Sequence, residues 1–157
     1  MKRYLILSDG QSVHTLKWAK ELIKYFNIYL ISFNGFSKEL NEIIPKENLF
    51  DLKVDVSAVG NNISVLKNVI SVKYIINKMM PDYINAHYIT SYGTVAILAS
   101  LMSSVKSKMI LSAWGSDILV TPFKNKLYFL LTKFCLSKSD VITSDSSYMC
   151  EVIKKIK

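Results

Sequence analysis

The sequence predicts a three-layer α/β/α domain built around a mostly parallel sheet. Short apolar runs alternate along the chain with stretches whose apolar residues repeat at the helical period. Most segments between successive runs are long enough to contain a helix, which parallel neighbours need because the chain must cross over the sheet. The chain has 157 residues, the length of one domain with one hydrophobic core. Together these observations predict a sheet covered by helices on both faces.

The predicted strands are apolar runs bounded by charged or turn-forming residues. The first of them, for example, ends in the turn signal Ser8-Asp9-Gly10. In chain order the six predicted strands are residues 4–7, 28–33, 54–59, 83–86, 108–112 and 141–143. The stretch 37–51 contains Pro45 and mixed charges, and it is predicted to be a connection with a short helical turn.

The predicted helices have an apolar face and a charged face. In the first helix Leu16, Ala19 and Leu22 share one face, whereas Lys17 and Glu21 lie on the other. The predicted helices span residues 15–26, 62–80, 92–102 and 124–136, and a last one begins near Ser146 and Ser147 and still runs at Lys157. The helix at 124–136 is unusually apolar and carries lysines, so it either lies on a membrane surface or is a buried crossover helix.

The charge of the chain is strongly positive and comes almost wholly from lysine. The formal net charge is +8, and Arg3 is the only arginine. Sequence-specific recognition of nucleic acid depends largely on the bidentate contacts that guanidinium groups make, so this composition argues against that class. A diffuse positive field can attract an anionic membrane surface or a diphosphate-bearing substrate, and equally it can belong to solvated lysines that keep a protein in solution.

The sequence predicts a cytoplasmic protein. It contains no uncharged apolar stretch of the length that a membrane-spanning helix needs. The apolar run near the N-terminus is interrupted by Asp9, too early for a signal peptide. Cys135 and Cys150 have no metal-binding or redox spacing and are expected to be thiols in a reducing compartment.

Three loops that follow predicted strands carry the residues capable of chemistry. In an open parallel sheet, ligands bind beyond the carboxyl ends of the strands, where the strand order reverses. The loops are residues 8–14, 85–88 and 112–117. They contain both histidines of the chain, His14 and His87, and Trp114, one of its two tryptophans. We favour a functional role for His87, since a strand end facing the crevice is a poor place to hide a polar ring, whereas His14 is equally suited to a helix-start role.

Each glycine of these loops, and the aspartate Asp117, has two interpretations. Gly10, Gly93 and Gly115 either let the backbone approach a ligand, with phosphate held at a helix N-terminus after Gly10 or Gly93, or only permit tight turns. Asp117 either accepts a hydrogen bond from a substrate hydroxyl or caps a short helix. Trp18 is predicted to belong to the core. Neither a dinucleotide-binding glycine fingerprint nor a phosphate-binding loop is present, which argues against a self-contained NAD or ATP site.

Four segments, taken together and in order, resemble the N-terminal domain of family 4 glycosyltransferases. They are residues 8–18, 81–88, 111–119 and 139–146, and the resemblance covers essentially the whole chain. Many members have a His-x-His pair after the fourth strand and a His-Gly-x-Asp segment after the fifth. Here Asn85 and Trp114 replace two of those histidines, which resembles a subgroup with Asn-Ala-His-Tyr and Trp-Gly-Ser-Asp.

The resemblance implies one half of an enzyme with the two-domain GT-B architecture. Such enzymes transfer a hexose from a nucleotide sugar with retention of configuration, without a metal or other cofactor, in a cleft between two Rossmann-like domains. Residues 1–157 would be the acceptor-side domain, inactive alone, and the C-terminal donor-binding domain would be absent from the chain. We expect a piece of a longer enzyme in preference to a split enzyme with a separate donor subunit.

The expected substrates are a nucleotide sugar, bound by the missing domain, and a glycan or polyprenyl-diphosphate-linked acceptor of bacterial surface polysaccharide synthesis. Peripheral contact with the inner face of the cell membrane is a further option. The main alternative is a non-catalytic Rossmann-like module that binds a nucleotide or a partner. A receiver-type regulator is disfavoured because Asp9 and Asp117 are not the adjacent carboxylates that a magnesium site needs.

The candidate catalytic residue is His87, whose imidazole would either orient a sugar hydroxyl or support the leaving diphosphate. No metal ligand is expected. The candidate substrate-binding residues are Asp9, Gly10, Ser12, His14, Tyr88, Gly93, Trp114, Gly115, Ser116 and Asp117.

Overall fold

The computed structural model describes residues 1–54 and 62–157, the side chains of residues 62–66 excepted. Its centre is a sheet of six strands, all of whose pairings are parallel. The strands are β1 (Arg3–Leu7), β2 (Asn27–Ser32), β3 (Leu49–Asp51), β4 (Tyr83–His87), β5 (Lys108–Ser112) and β6 (Val141–Thr143). Their order across the sheet is β3-β2-β1-β4-β5-β6. The order therefore reverses between β1 and β4, as in doubly wound sheets.

Helices cover both faces of the sheet. They are α1 (Val13–Leu22), α2 (Lys38–Ile43), α3 (Asn62–Met79), α4 (Thr94–Leu101), α5 (Ser116–Leu119), α6 (Lys126–Ser137) and α7 (Ser147–Ile156). Residues of α1 and α2 pack with one set of buried strand residues, and residues of α3, α4, α6 and α7 pack with the other set. The predicted three-layer α/β/α architecture with a parallel sheet is confirmed.

The first strand shows how the sequence builds two cores. Tyr4 and Ile6 pack beneath α1 and α2, whereas Leu5 and Leu7 pack against the helices of the opposite face. Successive side chains of a strand point to opposite faces, so a strand with helices on both sides is apolar at every position. All four of these side chains are buried.

The third strand differs from its prediction. Strand β3 is Leu49–Asp51, within the stretch predicted to be a connection, and it pairs with Leu30–Ser32 of β2. Val54 lies in no strand, and residues 55–59 of the predicted strand fall outside the described residues. A strand of three residues has no periodicity to recognise, and its extended conformation depends on hydrogen bonds to its neighbour.

Local sequence signals predict the first residue of a helix better than its last residue. The hydroxyl of Ser146 accepts a hydrogen bond from the Met149 N–H, which confirms the predicted start of the last helix. By contrast, α1 is capped by Ser12 and ends at Leu22, four residues before its predicted end. The predicted helix at 92–102 begins as a π-helical turn, Ile89–Gly93, and becomes α-helical only at Thr94.

Gly10 joins the first loop to the loop after β2. Its N–H donates to the Ser32 hydroxyl, and a Cβ placed on Gly10 would collide with the Gly35 carbonyl oxygen and press on the Phe36 ring. We therefore expect Gly10→Ala to lower the free energy of unfolding by about 1–3 kcal/mol, the usual cost of overpacking. Urea denaturation of the variant measures this loss. Gln11→Ala, an exposed neighbour, is the control, and equal stability of the two variants would contradict the packing role.

Candidate functional site

A pocket opens at the carboxyl edge of the sheet, at the reversal of strand order between β1 and β4. Its volume is about 300 Å³. The loops after β1, β4 and β5 meet there, because the carboxyl ends of parallel strands lie along one edge. The lining residues are Ser8, Asp9, Ser12, His14, Thr15, His87, Tyr88, Tyr92 and Trp114.

His87 is the last residue of β4, and only 3% of its surface is exposed. Its Nδ1 lies 3.0 Å from the Ser8 hydroxyl oxygen. The ring centroids of Trp18 and Trp114 each lie 5.3 Å from that of His87, with Trp18 meeting it edge-on. The two indoles and the hydrogen bond hold the imidazole in one orientation.

A chain of hydrogen bonds determines which nitrogen of His87 carries the proton. The Thr15 hydroxyl donates to the Asp9 carbonyl oxygen at 2.7 Å, so its own hydrogen is used there. The Ser8 hydroxyl lies 2.7 Å from the Thr15 oxygen and must supply the hydrogen between them. The Ser8 oxygen then accepts from His87, whose Nδ1 is the protonated nitrogen, and Nε2 carries a free lone pair.

The imidazole is uncharged at neutral pH. Burial lowers the pKa of His87 to about 4, because removal from water penalises the charged form, and the neighbouring His14 adds to the lowering. Its Nε2 is buried and finds no hydrogen-bond partner among the described residues. A buried acceptor without a partner is costly, so this atom is suited to a hydrogen bond from a ligand.

Trp114 presents the complementary atom. Its indole Nε1, which can only donate, is also buried and lacks a partner within the described part of the chain. The His14 ring packs against the indole at a centroid distance of 4.6 Å, so Trp114 contacts both histidines. His87 and Trp114 both line the pocket, and their ring nitrogens are buried polar atoms left unsatisfied within the described residues. The pocket therefore combines a buried acceptor and a buried donor with aromatic walls.

Asp117 holds the loops together and does not line the pocket. It is fully buried, and its two carboxylate oxygens accept hydrogen bonds from the backbone N–H groups of Ile89 (2.9 Å) and Trp114 (3.0 Å). Burial raises the pKa of Asp117, and these N–H donors oppose the rise. Of the two roles proposed for this residue, the contacts favour a structural one that links the loops after β4 and β5.

The loop after β4 is shaped by a strained residue. Tyr88 has φ 73°, unusual for a residue other than glycine, and its hydroxyl is hydrogen-bonded to that of Ser116. Gly93 ends the following π-helical turn with its N–H bonded to the Tyr88 carbonyl. Gly115 has φ 115°, which side chains rarely adopt. These residues set the path of the loops that carry the two unpartnered nitrogens.

The structure brings six of the eleven candidate residues together around the pocket: Asp9, Ser12, His14, His87, Tyr88 and Trp114. The other five, Gly10, Gly93, Gly115, Ser116 and Asp117, lie behind it as packing or loop-forming residues. Gly93 lies inside a continuous helical segment and marks no helix N-terminus, whereas α1 begins after Gly10 with one N–H of its first turn, that of His14, bonded to the Ser12 hydroxyl.

Sequence reasoning missed four contributors to the site. Ser8, Thr15 and Tyr92 line the pocket, and Trp18, predicted to belong to the core, is half-buried and contacts His87. The Tyr92 ring stacks on Phe33, and burial raises the pKa of Tyr92 to about 12. The spacing of Thr15 and Trp18 was an available signal, because residues three apart share a helix face next to the first loop.

Asn85, which stands where many family members have a histidine, is fully buried. Its amide donates to the Tyr4 hydroxyl and accepts from the Ser112 hydroxyl, which in turn accepts from Thr143. This line of hydrogen bonds crosses strands β1, β4, β5 and β6. Asn85 therefore connects the strands beneath the pocket and does not reach into it.

Comparison with protein families identifies the family of the chain. The family model for glycosyl transferase 4-like proteins matches residues 3–146. The chain belongs to this family. Comparison with curated protein sequences finds no significant match. Within residues 1–54 and 62–157, no helix is long and apolar enough to cross a membrane.

Solved structures share the fold at low sequence identity. The lipopolysaccharide outer core galactosyltransferase WaaB is 15% identical with a TM-score of 0.70, and 99% of this chain covers 42% of it. The UDP-N-acetylglucosamine 2-epimerase of Rickettsia bellii is 16% identical with a TM-score of 0.69 and the same coverage. The corresponding epimerase of Methanocaldococcus jannaschii is 14% identical, with a TM-score of 0.67. The chain thus has the Rossmann-like fold of GT-B N-terminal domains and spans less than half of these proteins.

Proposed function

We propose that this chain is the acceptor-binding domain of a retaining hexosyltransferase of bacterial surface polysaccharide synthesis. The membership in the glycosyl transferase 4-like family supports sugar transfer in general. The acceptor would be a glycan or a polyprenyl-diphosphate-linked sugar, met by a cytoplasmic enzyme at the inner face of the membrane. A second domain, in a longer chain or a separate subunit, would bind the nucleotide sugar, and this domain alone would be inactive because transfer needs both substrates in near-attack geometry.

The pair of unpartnered nitrogens, His87 Nε2 and Trp114 Nε1, is the observation that carries this proposal. A sugar is dense in hydroxyl groups, each of which both donates and accepts, so it can satisfy a buried acceptor and a buried donor together. An ionised phosphate cannot satisfy both atoms, since it has no hydrogen to donate to Nε2. Of the two roles considered for His87, orienting a sugar hydroxyl is therefore favoured over supporting the leaving diphosphate.

The size of the pocket also favours a single sugar. A volume of about 300 Å³ is at the small end of ligand pockets and suits one sugar ring better than a whole nucleotide sugar. In retaining transfer the sugar that is being transferred gains positive charge in the transition state, while the leaving diphosphate gains negative charge. An uncharged His87 does not oppose the developing positive charge, and its fixed lone pair would hold one hydroxyl in place without reorganisation.

A titration of the isolated chain followed by NMR tests this proposal. Since the chain has only two tryptophans, two indole N–H signals are expected. Methyl glycosides of glucose, galactose and N-acetylglucosamine should shift the Trp114 signal, because their hydroxyls would become its acceptors, while the Trp18 signal changes less. His87→Asn should abolish the response.

The same titration with UDP distinguishes an acceptor domain from the alternative, a non-catalytic module that binds a nucleotide. A nucleotide-binding module would bind UDP tightly, would not respond to the glycosides and would tolerate His87→Asn. That result, or turnover of a nucleotide sugar by the isolated chain, would contradict the acceptor-domain proposal.

A further inference from the structure

Another cavity opens at the amino edge of the sheet, opposite the pocket of His87. Its volume is about 470 Å³, and it lies where α1 and α2 end and β2 begins. Most of its wall is apolar: Ile23, Phe26, Ile28, Ile43, Ile44 and Pro45. Within the described residues, the buried side-chain atoms without a hydrogen-bond partner are His87 Nε2 and Trp114 Nε1, both at the other edge. The cavity at the amino edge therefore suits an apolar group.

An exposed tyrosine accompanies this cavity. Tyr25 lies in the turn between α1 and β2, and in sequence it stands between Ile23 and Phe26 of the cavity wall. Tyr25 is 67% exposed and Ile23 is 36% exposed. A large aromatic side chain next to an open apolar cavity is suited to association, since tyrosine is among the residues that contribute most to binding at interfaces. We call this region the amino-edge surface: Ile23, Tyr25, Phe26, Ile43 and Pro45.

The charges beside the amino-edge surface lie on two sides of it and have opposite net signs. Residues 13–24, which contain α1, carry three lysines and one glutamate, a net charge of +2. Residues 38–47, which contain α2, carry three glutamates and two lysines, a net charge of −1 in a chain whose net charge is +8. Lys20 and Glu42 are exposed, and neither has an ion-pair partner within the described residues, where Lys24 and Glu21 pair with each other. The surface is therefore basic on one side and acidic on the other.

A second copy of the chain matches this distribution of charge. In a two-fold symmetric dimer the same surface is used by both copies, so each contact between two different residues forms twice. An axis that passes between the ends of α1 and α2 places the α1 side of each copy against the α2 side of the other. Basic and acidic sides then meet in both contacts, and Tyr25 of each copy lies at the cavity of its partner. An anionic partner would match the lysines of α1 but would be repelled by the glutamates of α2.

We propose that the domain forms a two-fold symmetric dimer through the amino-edge surface, with Tyr25 of each copy in the cavity of the other and Lys20 opposite Glu42. The inference does not depend on the proposed function. His87 ends β4 at the carboxyl edge, whereas the amino-edge surface lies where β2 begins. Parallel strands place these two positions at opposite edges of the sheet. The dimer therefore joins two domains and leaves both pockets open.

Sedimentation equilibrium of the chain tests the dimer. We expect a reversible equilibrium between monomer and dimer, measured with a reductant present because Cys150 is exposed and could cross-link two chains. Ile23→Ser/Tyr25→Ser should raise the dissociation constant about tenfold or more, since a few anchor side chains carry most of the binding energy of an interface. Ile70→Ser/Tyr74→Ser removes the same two residue types from exposed positions of α3 and should leave the dissociation constant unchanged. Circular dichroism establishes that each variant is folded.

Two charge reversals test the symmetry of the dimer as well as its surface. Lys20→Glu and Glu42→Lys should each weaken self-association about tenfold, because each reversal brings like charges together in both contacts. In a mixture of the two variants, both contacts of the heterodimer join opposite charges, so the affinity of the unmodified chain should return. Lys78→Glu and Glu151→Lys reverse the same charges at exposed sites of α3 and α7. These two controls should dimerise as the unmodified chain does, alone and when mixed.

Three outcomes overturn the dimer. They are an unmodified chain that stays monomeric at every concentration, a dimer that Ile23→Ser/Tyr25→Ser leaves intact, and a mixture of the two charge variants that associates no more tightly than either variant alone. The Trp114 signal should still respond to methyl glycosides in all of these variants, because none of the substitutions lies at the carboxyl edge. Failure of the dimer therefore leaves the proposed function untouched, and failure of the glycoside titration leaves the dimer untouched.

Discussion

Replacement of His87 by asparagine is expected to lower the turnover of an enzyme that contains this domain by about 100-fold, the loss typical of one well-placed polar group in a site. The asparagine amide can still donate to the Ser8 oxygen in place of Nδ1, but nothing then occupies the position of Nε2. The substrate hydroxyl would lose its acceptor while the local packing remains. Steady-state kinetics of the enzyme with its donor domain measures the effect.

Two further variants show whether the loss arises at Nε2. His87→Gln places an amide near the Nε2 position and should recover part of the turnover, whereas His87→Ala should recover none. Thermal unfolding of the three variants tests whether the fold is intact. Near-normal turnover in His87→Asn, together with a melting temperature many degrees lower, would make His87 a structural residue and refute its assignment to the site.

Acid is expected to destabilise the domain through the same residue by up to about 3 kcal/mol. The pKa of His87 is about 4 in the folded chain and 6.5 for an unperturbed histidine. As the pH falls below 6.5 the unfolded chain takes up the proton first, so the free energy of unfolding decreases. The contribution of the neutral, buried His87 to the free energy of unfolding is fully present above pH 6.5 and is lost progressively towards pH 4.

Urea denaturation at a series of pH values between these limits measures the loss. The difference in free energy of unfolding between the unmodified chain and His87→Asn should shrink as the pH falls, because the variant has no imidazole to protonate. His14→Gln is the matched control, since His14 is exposed and its removal should leave most of the slope in place, because burial is the larger cause of the lowered pKa of His87. Parallel curves for the unmodified chain and His87→Asn would show that His87 does not titrate with a lowered pKa.

Much of the fold could be predicted because the relevant information is local. The bounds predicted for β5 and β6 are those of the structure, since both are apolar runs between polar residues. The start of α7 follows from the capping ability of Ser146. Strand β3 could not be predicted, because its three residues become a strand only by pairing with β2.

The meeting of His87 and Trp114 at one edge also follows from the sequence, once the sheet is taken as parallel. Strand order and direction place the loops after β4 and β5 side by side whatever their detailed conformation. The role of Gly10 does not follow, because its close neighbours, Gly35 and Phe36, lie far along the chain. The same holds for Asp117, whose partner Ile89 comes from another loop.

By itself, the sequence determined an α/β domain with a doubly wound sheet and a family resemblance carried by its strand-end loops. Only the tertiary structure decided the chemistry of those loops. The protonation state of His87 depends on burial by Trp18 and Trp114 and on the hydroxyl groups of Ser8, which follows β1, and Thr15 in α1, both distant in sequence. Periodicity encodes which face of an element is apolar, but the environment of a single ring is the sum of contacts from many elements.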